Sequence, residues 1–241
     1  MINNVCRSFV VVAASAAIAA AHADDGSSQA DLLIEESVVI GDREAARKVA
    51  GSGTVLSQLQ LDLADHTDLH QIVASVPGIY FRQEDGYGLR PNIGIRGATT
   101  DRSQKITMME DGILIGPAPY SAPAAYYVPN TARIHAVEIL KGPAAIKYGP
   151  HTVGGAINFV TTPVPDNNTT TLDLSMGNDG YLKTQAELGL RLNDKMGVLI
   201  DALDYRSDGF KELNSSGSTG FVRNDFNIKF KWQPASSLPS V

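Results

Sequence analysis

The chain has 241 residues, 43% hydrophobic and 19% charged, a composition that can build a packed core and excludes wholesale disorder. Lys and Arg number 20 against 26 Asp and Glu, and the resulting charge of −6 argues against nucleic acid as a partner, because a phosphate backbone selects a basic surface. No apolar run reaches the roughly 18 residues of a membrane-spanning helix, which excludes a helical membrane protein but not a β-barrel, whose strands carry a weaker signal.

In chain order, the first 23 residues read as a secretory signal peptide: Arg7 near the start, an apolar stretch Phe9–Ala21, and Ala21-His22-Ala23 as a small-x-small cleavage site. A buried N-terminal helix is the alternative. Cleavage would remove Cys6, the only cysteine, leaving no disulfide, thiolate metal site or cysteine nucleophile. Residues 24–53 read as a polar start, the apolar-acidic segment Leu32–Ile40, and a charged, Gly/Ser-rich linker Gly41–Gly53. A helix is predicted where Leu69, Ile72, Val73 and Val76 fall at i, i+3, i+4 and i+7, with Thr67 as its cap and Pro77-Gly78 as its stop. Short β segments follow: Ile93–Ile95, then Ile106–Glu110 and Ile113–Ile115 flanking the hairpin signal Asp111-Gly112. Ala136–Lys141 comes next, then a helical turn from Gly142-Pro143 to Tyr148, and Ala156–Thr161. Residues 54–162 therefore read as an α+β domain.

Residues 163–241 read as a second region, in which from Thr169 the texture changes to alternation. In Tyr181–Leu192 one face carries Leu182, Thr184, Ala186, Leu188, Leu190 and Leu192, and the other Lys183, Gln185, Glu187, Gly189 and Arg191. Phe221–Trp232 alternates in the same way, and Thr169–Met176 and Met196–Tyr205 complete about four strands. A period of two means one apolar and one wet face. Strands of this length match the roughly 9–11 residues that cross a bilayer. Short turns at Gly177–Gly180 and Asn193–Lys195 and a long polar loop Arg206–Thr219 suit an outer-membrane barrel. A soluble β-sandwich with one solvated face is the alternative.

Catalytic signatures are missing. There is no GxGxxG, HExxH or GxSxG, and Gly149–Gly155 has Gly155-Ala156 where a phosphate loop needs Lys-Ser/Thr. His66 and His70 have a spacing that can hold a metal, although two histidines near a helix start are more often plain surface residues. No carboxylate pair stands out as an acid/base couple. An enzyme is not expected, and no cofactor or metal site is assigned.

Several segments, in order, carry a family resemblance. They are Leu69-His70-Gln71-Ile72-Val73-Ala74-Ser75-Val76-Pro77-Gly78-Ile79, Ile93-Gly94-Ile95-Arg96-Gly97, and Met109-Glu110-Asp111-Gly112-Ile113. Val137-Glu138-Ile139-Leu140-Lys141-Gly142-Pro143-Ala144, Tyr148-Gly149, and Gly154-Gly155-Ala156-Ile157-Asn158-Phe159-Val160 follow. Together they resemble the plug domain of TonB-dependent outer-membrane receptors. Pro117-Ala118-Pro119-Tyr120 and Ser207-Asp208-Gly209-Phe210 look most like the ferric-citrate receptor branch.

The resemblance implies an α+β plug followed by the first antiparallel strands of a transmembrane β-barrel, in a Gram-negative outer membrane. It implies import of a ferric chelate (ferric citrate or a siderophore), with the plug gating the lumen, and three partners: the TonB energy-coupling protein, the chelate and outer-membrane lipid. Glu36, Ser37, Val38, Val39 and Ile40 resemble the TonB box, whose β-branched residues suit strand addition. An ordinary first plug strand is the alternative there. Arg96 and Lys141 look like the plug cations that pair with barrel-wall carboxylates, and a solvated charge is the alternative for Lys141. Thr99, Arg102, Tyr120 and Ser121 fall on loops that would face the ligand, Arg102 supplying a cation and the others hydroxyls. Only 12 residues separate Ala23 from the box, so no signalling domain is expected. About four strands fall far short of the family's roughly 22, so the chain reads as a receptor cut short. A free-standing periplasmic plug-type binding protein is the second reading.

Overall fold

Three short helices interleave with short strands up to residue 161, and four long strands follow, in a computed structural model that describes residues 39–64, 68–84, 87–115, 127–211 and 217–233. Helix α1 (Arg43–Lys48) is capped by Asp42, whose carboxylate accepts from the Ala45 N–H. Glu44 in its first turn and Arg47 and Lys48 in its last match the helix dipole. Strand β1 (Ser52–Leu56) and helices α2 (Gln58–Ala64) and α3 (Leu69–Ala74) follow. The stretch Gly41–Gly53, expected as a linker, therefore holds a helix and the start of a strand. A Cβ at Gly53 would sit 2.9 Å from the Ala46 carbonyl oxygen, so this glycine serves close packing of α1 on β1 rather than flexibility.

Helix α3 matches its predicted face: Leu69, Ile72 and Val73 are buried, as is Val76 just beyond its end. Its cap is Asp68, which accepts from the His70 N–H at 2.8 Å, whereas Thr67 lies outside the described residues. Strands β2 (Ile79–Arg82) and β3 (Asn92–Ile95) pair antiparallel. β2 escaped the sequence reading because Ile79-Tyr80-Phe81-Arg82 lacks a polar alternation.

A five-stranded sheet forms from β1, β4 (Ile106–Glu110), β5 (Ile113–Leu114), β6 (Ile134–Lys141) and β7 (Gly155–Thr161), in the order β1-β6-β7-β4-β5. The β4–β7 pair is parallel and the others antiparallel. The predicted two-residue turn joins β4 to β5, with both Asp111 (φ 48°) and Gly112 (φ 76°) in the left-handed region that such hairpins require. Ile93, Ile95, Val137, Ile139, Ile157 and Phe159 form its dry core with the face of α3.

Beyond it, β8 (Thr169–Met176), β9 (Leu182–Asn193), β10 (Met196–Ser207) and β11 (Phe221–Trp232) form an antiparallel meander ordered β11-β10-β9-β8. Among the described residues β8 and β11 each pair on one side only, so the sheet is open. Cross-strand register puts Leu174, Thr184, Asp204 and Asn224 on one face, and Leu172, Ala186, Ala202 and Phe226 further along the same face. The opposite face carries Asp173, Gln185, Leu203 and Asp225.

Candidate functional site

The polar face of the meander is turned toward the α+β domain, so the wet side of the alternation meets protein. Gln185 Nε2 donates to the Ala132 carbonyl at 2.9 Å and Arg223 Nη2 to the Val128 carbonyl at 2.7 Å. Lys229 Nζ lies 2.9 Å from Asp111 Oδ2 and donates to the Thr162 carbonyl at 3.1 Å. Asp111 also accepts from the Thr161 N–H and hydroxyl at 2.8 and 2.6 Å, so one carboxylate ties the β4–β5 turn, the end of β7 and strand β11 together. The Tyr87 and Ser207 hydroxyls are 2.9 Å apart, and the Tyr87 ring packs against Phe210 and Phe221. A polar cavity of about 250 Å³, lined by Asp62, Thr131, Asp173, Lys183 and Glu187 among others, remains between the domain and strands β8 and β9.

A buried ion pair stands behind this contact. Arg133 Nη2 is 2.6 Å from Glu110 Oε1, Tyr127 donates to Glu110 Oε2 at 2.7 Å, and Arg133 also bonds the Tyr127 hydroxyl. Burial first, and then the Glu110 carboxylate, push the Tyr127 hydroxyl well above its ordinary pKa.

Arg96 and Lys141, read as cations that meet the wall, occupy the other end of the sheet. Lys141 closes β6, whose first residue Ile134 lies at the end gripped by β9 to β11. Lys141 is buried and donates to the Pro77 carbonyl at 2.8 Å. Burial, and then the Arg96 charge, pull its ammonium below the usual lysine range. Arg96 is exposed, and a Cβ on Gly142 would come within 2.9 Å of its Nη1. Neither forms an ion pair among the described residues, and strands β8 to β11 do not reach them. The cations that do grip the domain are Arg223 and Lys229. The sequence signalled them only as members of a wet face.

Thr99 and Arg102 are exposed on the loop after β3. Arg102 holds a left-handed conformation (φ 47°), and its N–H donates to Asn92 Oδ1 at 2.8 Å. This fixes its backbone while leaving the guanidinium without an ion pair among the described residues. Tyr120 and Ser121 lie outside the described residues, as do Glu36, Ser37, Val38 and His66. His70 is no surface residue: it is buried and stacks on Phe81 at 4.8 Å, with Nδ1 3.1 Å from Asp68 Oδ1. Among the described residues no cluster of three potential ligands can hold a metal ion.

Val39 and Ile40 are described, and they do not form a strand. They pack against Met109, Leu140, Ala145 and Ala156, and their backbone N–H groups point at Glu138. The local signal for Glu138 is a carboxylate inside the otherwise apolar run Val137–Leu140.

Comparison with known proteins matches residues 45–156 to the family described as the TonB-dependent receptor plug domain. The vitamin B12 transporter BtuB of Vibrio vulnificus (strain YJ016) is 26% identical over 173 residues, covering 71% of this chain and 28% of that protein. The unliganded ferric citrate transporter FecA superposes with a TM-score of 0.66 at 20% identity, over 81% of this chain and 30% of that one. The ferric yersiniabactin uptake receptor FyuA from Yersinia pestis gives a TM-score of 0.65 at 22% identity, over 80% of this chain and 30% of that one. At these identities the structural likeness speaks for the fold. The chain spans less than a third of the length of the transporter it matches.

Proposed function

We propose, for a chain whose residues 45–156 are a TonB-dependent receptor plug domain followed by the opening strands of an unclosed barrel, a role in outer-membrane import of a ferric chelate. The observation that carries this reading is the grip of the polar strand face on the plug, through Gln185, Arg223 and Lys229, with the apolar face left outward. A soluble sandwich would turn its apolar face inward, whereas a barrel wall turns it to lipid. The plug then sits in the lumen and gates it.

The first 23 residues act as an export signal in this reading, and Glu36–Ile40 as the segment that pairs with the TonB coupling protein. Arg96 and Lys141, adjacent and without a carboxylate among the described residues, answer to acidic groups of a wall segment beyond these strands. A buried ammonium of this kind needs such a partner. Thr99 and Arg102, with Tyr120 and Ser121, face the ligand, and a guanidinium without an ion pair among the described residues favours an anionic chelate. The motif likeness of Pro117–Tyr120 and Ser207–Phe210 to ferric-citrate receptors supports iron over the cobalamin carried by the B12 transporter.

The test is ligand uptake by the complete receptor. Deleting Glu36–Ile40 abolishes uptake and leaves surface binding intact, and uptake at the wild-type rate refutes the coupling assignment. Replacing Arg102 and Tyr120 together by Ala weakens binding of ferric chelates, and unchanged affinity refutes the ligand-facing assignment.

A further inference from the structure

One buried carboxylate of the plug takes three of its four hydrogen bonds from the chain that leads out of the coupling segment. Glu138 is 1% exposed, in the middle of β6, with β1 on one side and β7 on the other. Among the described residues no cation pairs with it. Its partners are neutral donors: the Val39 N–H at 2.7 Å, the Ile40 N–H at 2.9 Å, the Gly41 N–H at 2.7 Å and Asn158 Nδ2 at 2.8 Å. Four donors match the acceptor sites of an ionised carboxylate. A buried charge without them would be costly.

Three consecutive N–H groups converging on one anion form a backbone nest, an arrangement that needs residues of alternating hand. Gly41, at φ 92°, supplies the left-handed member. Asn158 completes the site from β7: it donates to Glu138 while its Oδ1 accepts from the Gly112 N–H at 2.9 Å. The carboxylate is therefore held from the sheet side and holds the segment on the other. Val39 and Ile40 add apolar contact with Met109, Leu140, Ala145 and Ala156.

We propose that Glu138 is the positioning residue for energy coupling. Its carboxylate anchors residues 39–41 to the sheet, and a pull on the coupling segment enters the plug through it. This rests on the reading of Glu36–Ile40 as the coupling segment. Charge-assisted bonds to a buried carboxylate are about twice as strong as neutral ones, so the load reaches β6 before the segment peels away. Glu138→Gln keeps the size but replaces one acceptor oxygen by an amide donor that faces the nest.

Two measurements on the 241-residue chain test this without the coupling protein. In amide hydrogen exchange, Val39, Ile40 and Gly41 should be protected in the wild type. In Glu138→Gln they should exchange at least about tenfold faster, a loss of about 1.4 kcal/mol of protection, while β6 and β7 amides keep their rates. Equal rates in the two proteins, or equal acceleration throughout β6 and β7, would overturn the proposal, the latter by showing a merely structural role. If Glu138→Gln does not fold, wild-type exchange of residues 39–41 at unprotected rates would overturn it alone.

The second is single-molecule pulling from a handle at Ser37→Cys in a Cys6→Ser background, with the C-terminal end fixed. The first rupture should need less force in Glu138→Gln than with Glu138 present, and equal forces would contradict the anchoring role. Neither readout involves uptake. Failure of the coupling assignment, seen as uptake without Glu36–Ile40, is thus distinguishable from failure of the anchor.

Discussion

The plug sheet and the wall strands are built from similar residues and distribute them in opposite ways. In the plug, Phe159 on β7 is fully buried, and its neighbours Ile139 and Val137 on β6 are equally dry. On β11, Phe226 is 67% exposed and Trp232 64% exposed, while Arg223 and Lys229 point inward. A sheet covered by protein on its faces can carry near-continuous apolar runs. A sheet that is apolar outside and polar inside is the pattern of a barrel wall, with hydrocarbon outside and a wet or protein-filled lumen inside, and this is the placement proposed for the four strands. The same side chain is therefore a core residue in one region and an outward-facing residue in the other.

The largest expected contrast comes from truncating one phenylalanine in each region. Phe159→Ala should destabilise the plug by about 3–5 kcal/mol, the range for emptying a packed aromatic site. Phe226→Ala should change plug stability by no more than about 0.5 kcal/mol, as an outward substitution does. Denaturant unfolding followed by exchange of the β6 and β7 amides measures both. Similar losses would erase the distinction between the regions.

The junction between them should respond less. Asp111→Ala removes acceptors from Thr161 and the partner of Lys229, at a cost of about 2–3 kcal/mol. Lys229→Ala leaves Asp111 its Thr161 bonds and should cost about 1 kcal/mol, near the upper range for partly exposed pairs. A double-mutant cycle should give a coupling of about 0.5–1 kcal/mol, and a coupling of zero would show that the plug is held by other contacts.

A smaller effect is tied to pH and confined to the plug. Burial alone would raise the Asp68 pKa, but the bonds from His70 outweigh it and hold the carboxyl below its ordinary value. The folded state then binds fewer protons than the unfolded one. This contribution is fully present above the unfolded pKa of about 3.9 and disappears as pH falls through the lower folded value. Acid titration of stability should therefore be shallower in Asp68→Asn than in the wild type. Identical slopes would contradict the assignment. The smallest effect is expected at Arg102, exposed on its loop: Arg102→Ala should leave thermal stability unchanged within about 0.5 kcal/mol.

Much of this contrast was legible in the residues. Strict alternation located β8 and β11 at their observed limits, because a period of two survives any tertiary context in which the two faces meet different media. Asp111-Gly112 located the β4–β5 turn, because few residue pairs tolerate two left-handed conformations. What the sequence hid was long-range pairing. Glu138 and Asp111 gain their partners from chain 99 and 50 residues away, and no local pattern encodes such a distance. Arg43–Lys48 was hidden for another reason: its charges, read as a solvated linker, are the complement of a helix dipole. Lys229 and Arg223 were seen as wet-face residues, but nothing local says whether a wet face meets water or a plug.

The central claim is that the outward face of β8 to β11 belongs in hydrocarbon, and Trp232, the only tryptophan, reports on it directly. The chain should be reconstituted in lipid–detergent micelles whose acyl chains carry bromine, and its tryptophan emission compared with that in unbrominated lipid. The account predicts blue-shifted emission, strongly quenched by the brominated chains and little affected by aqueous iodide. Emission indifferent to bromine and quenched by iodide would place that face in water and contradict it.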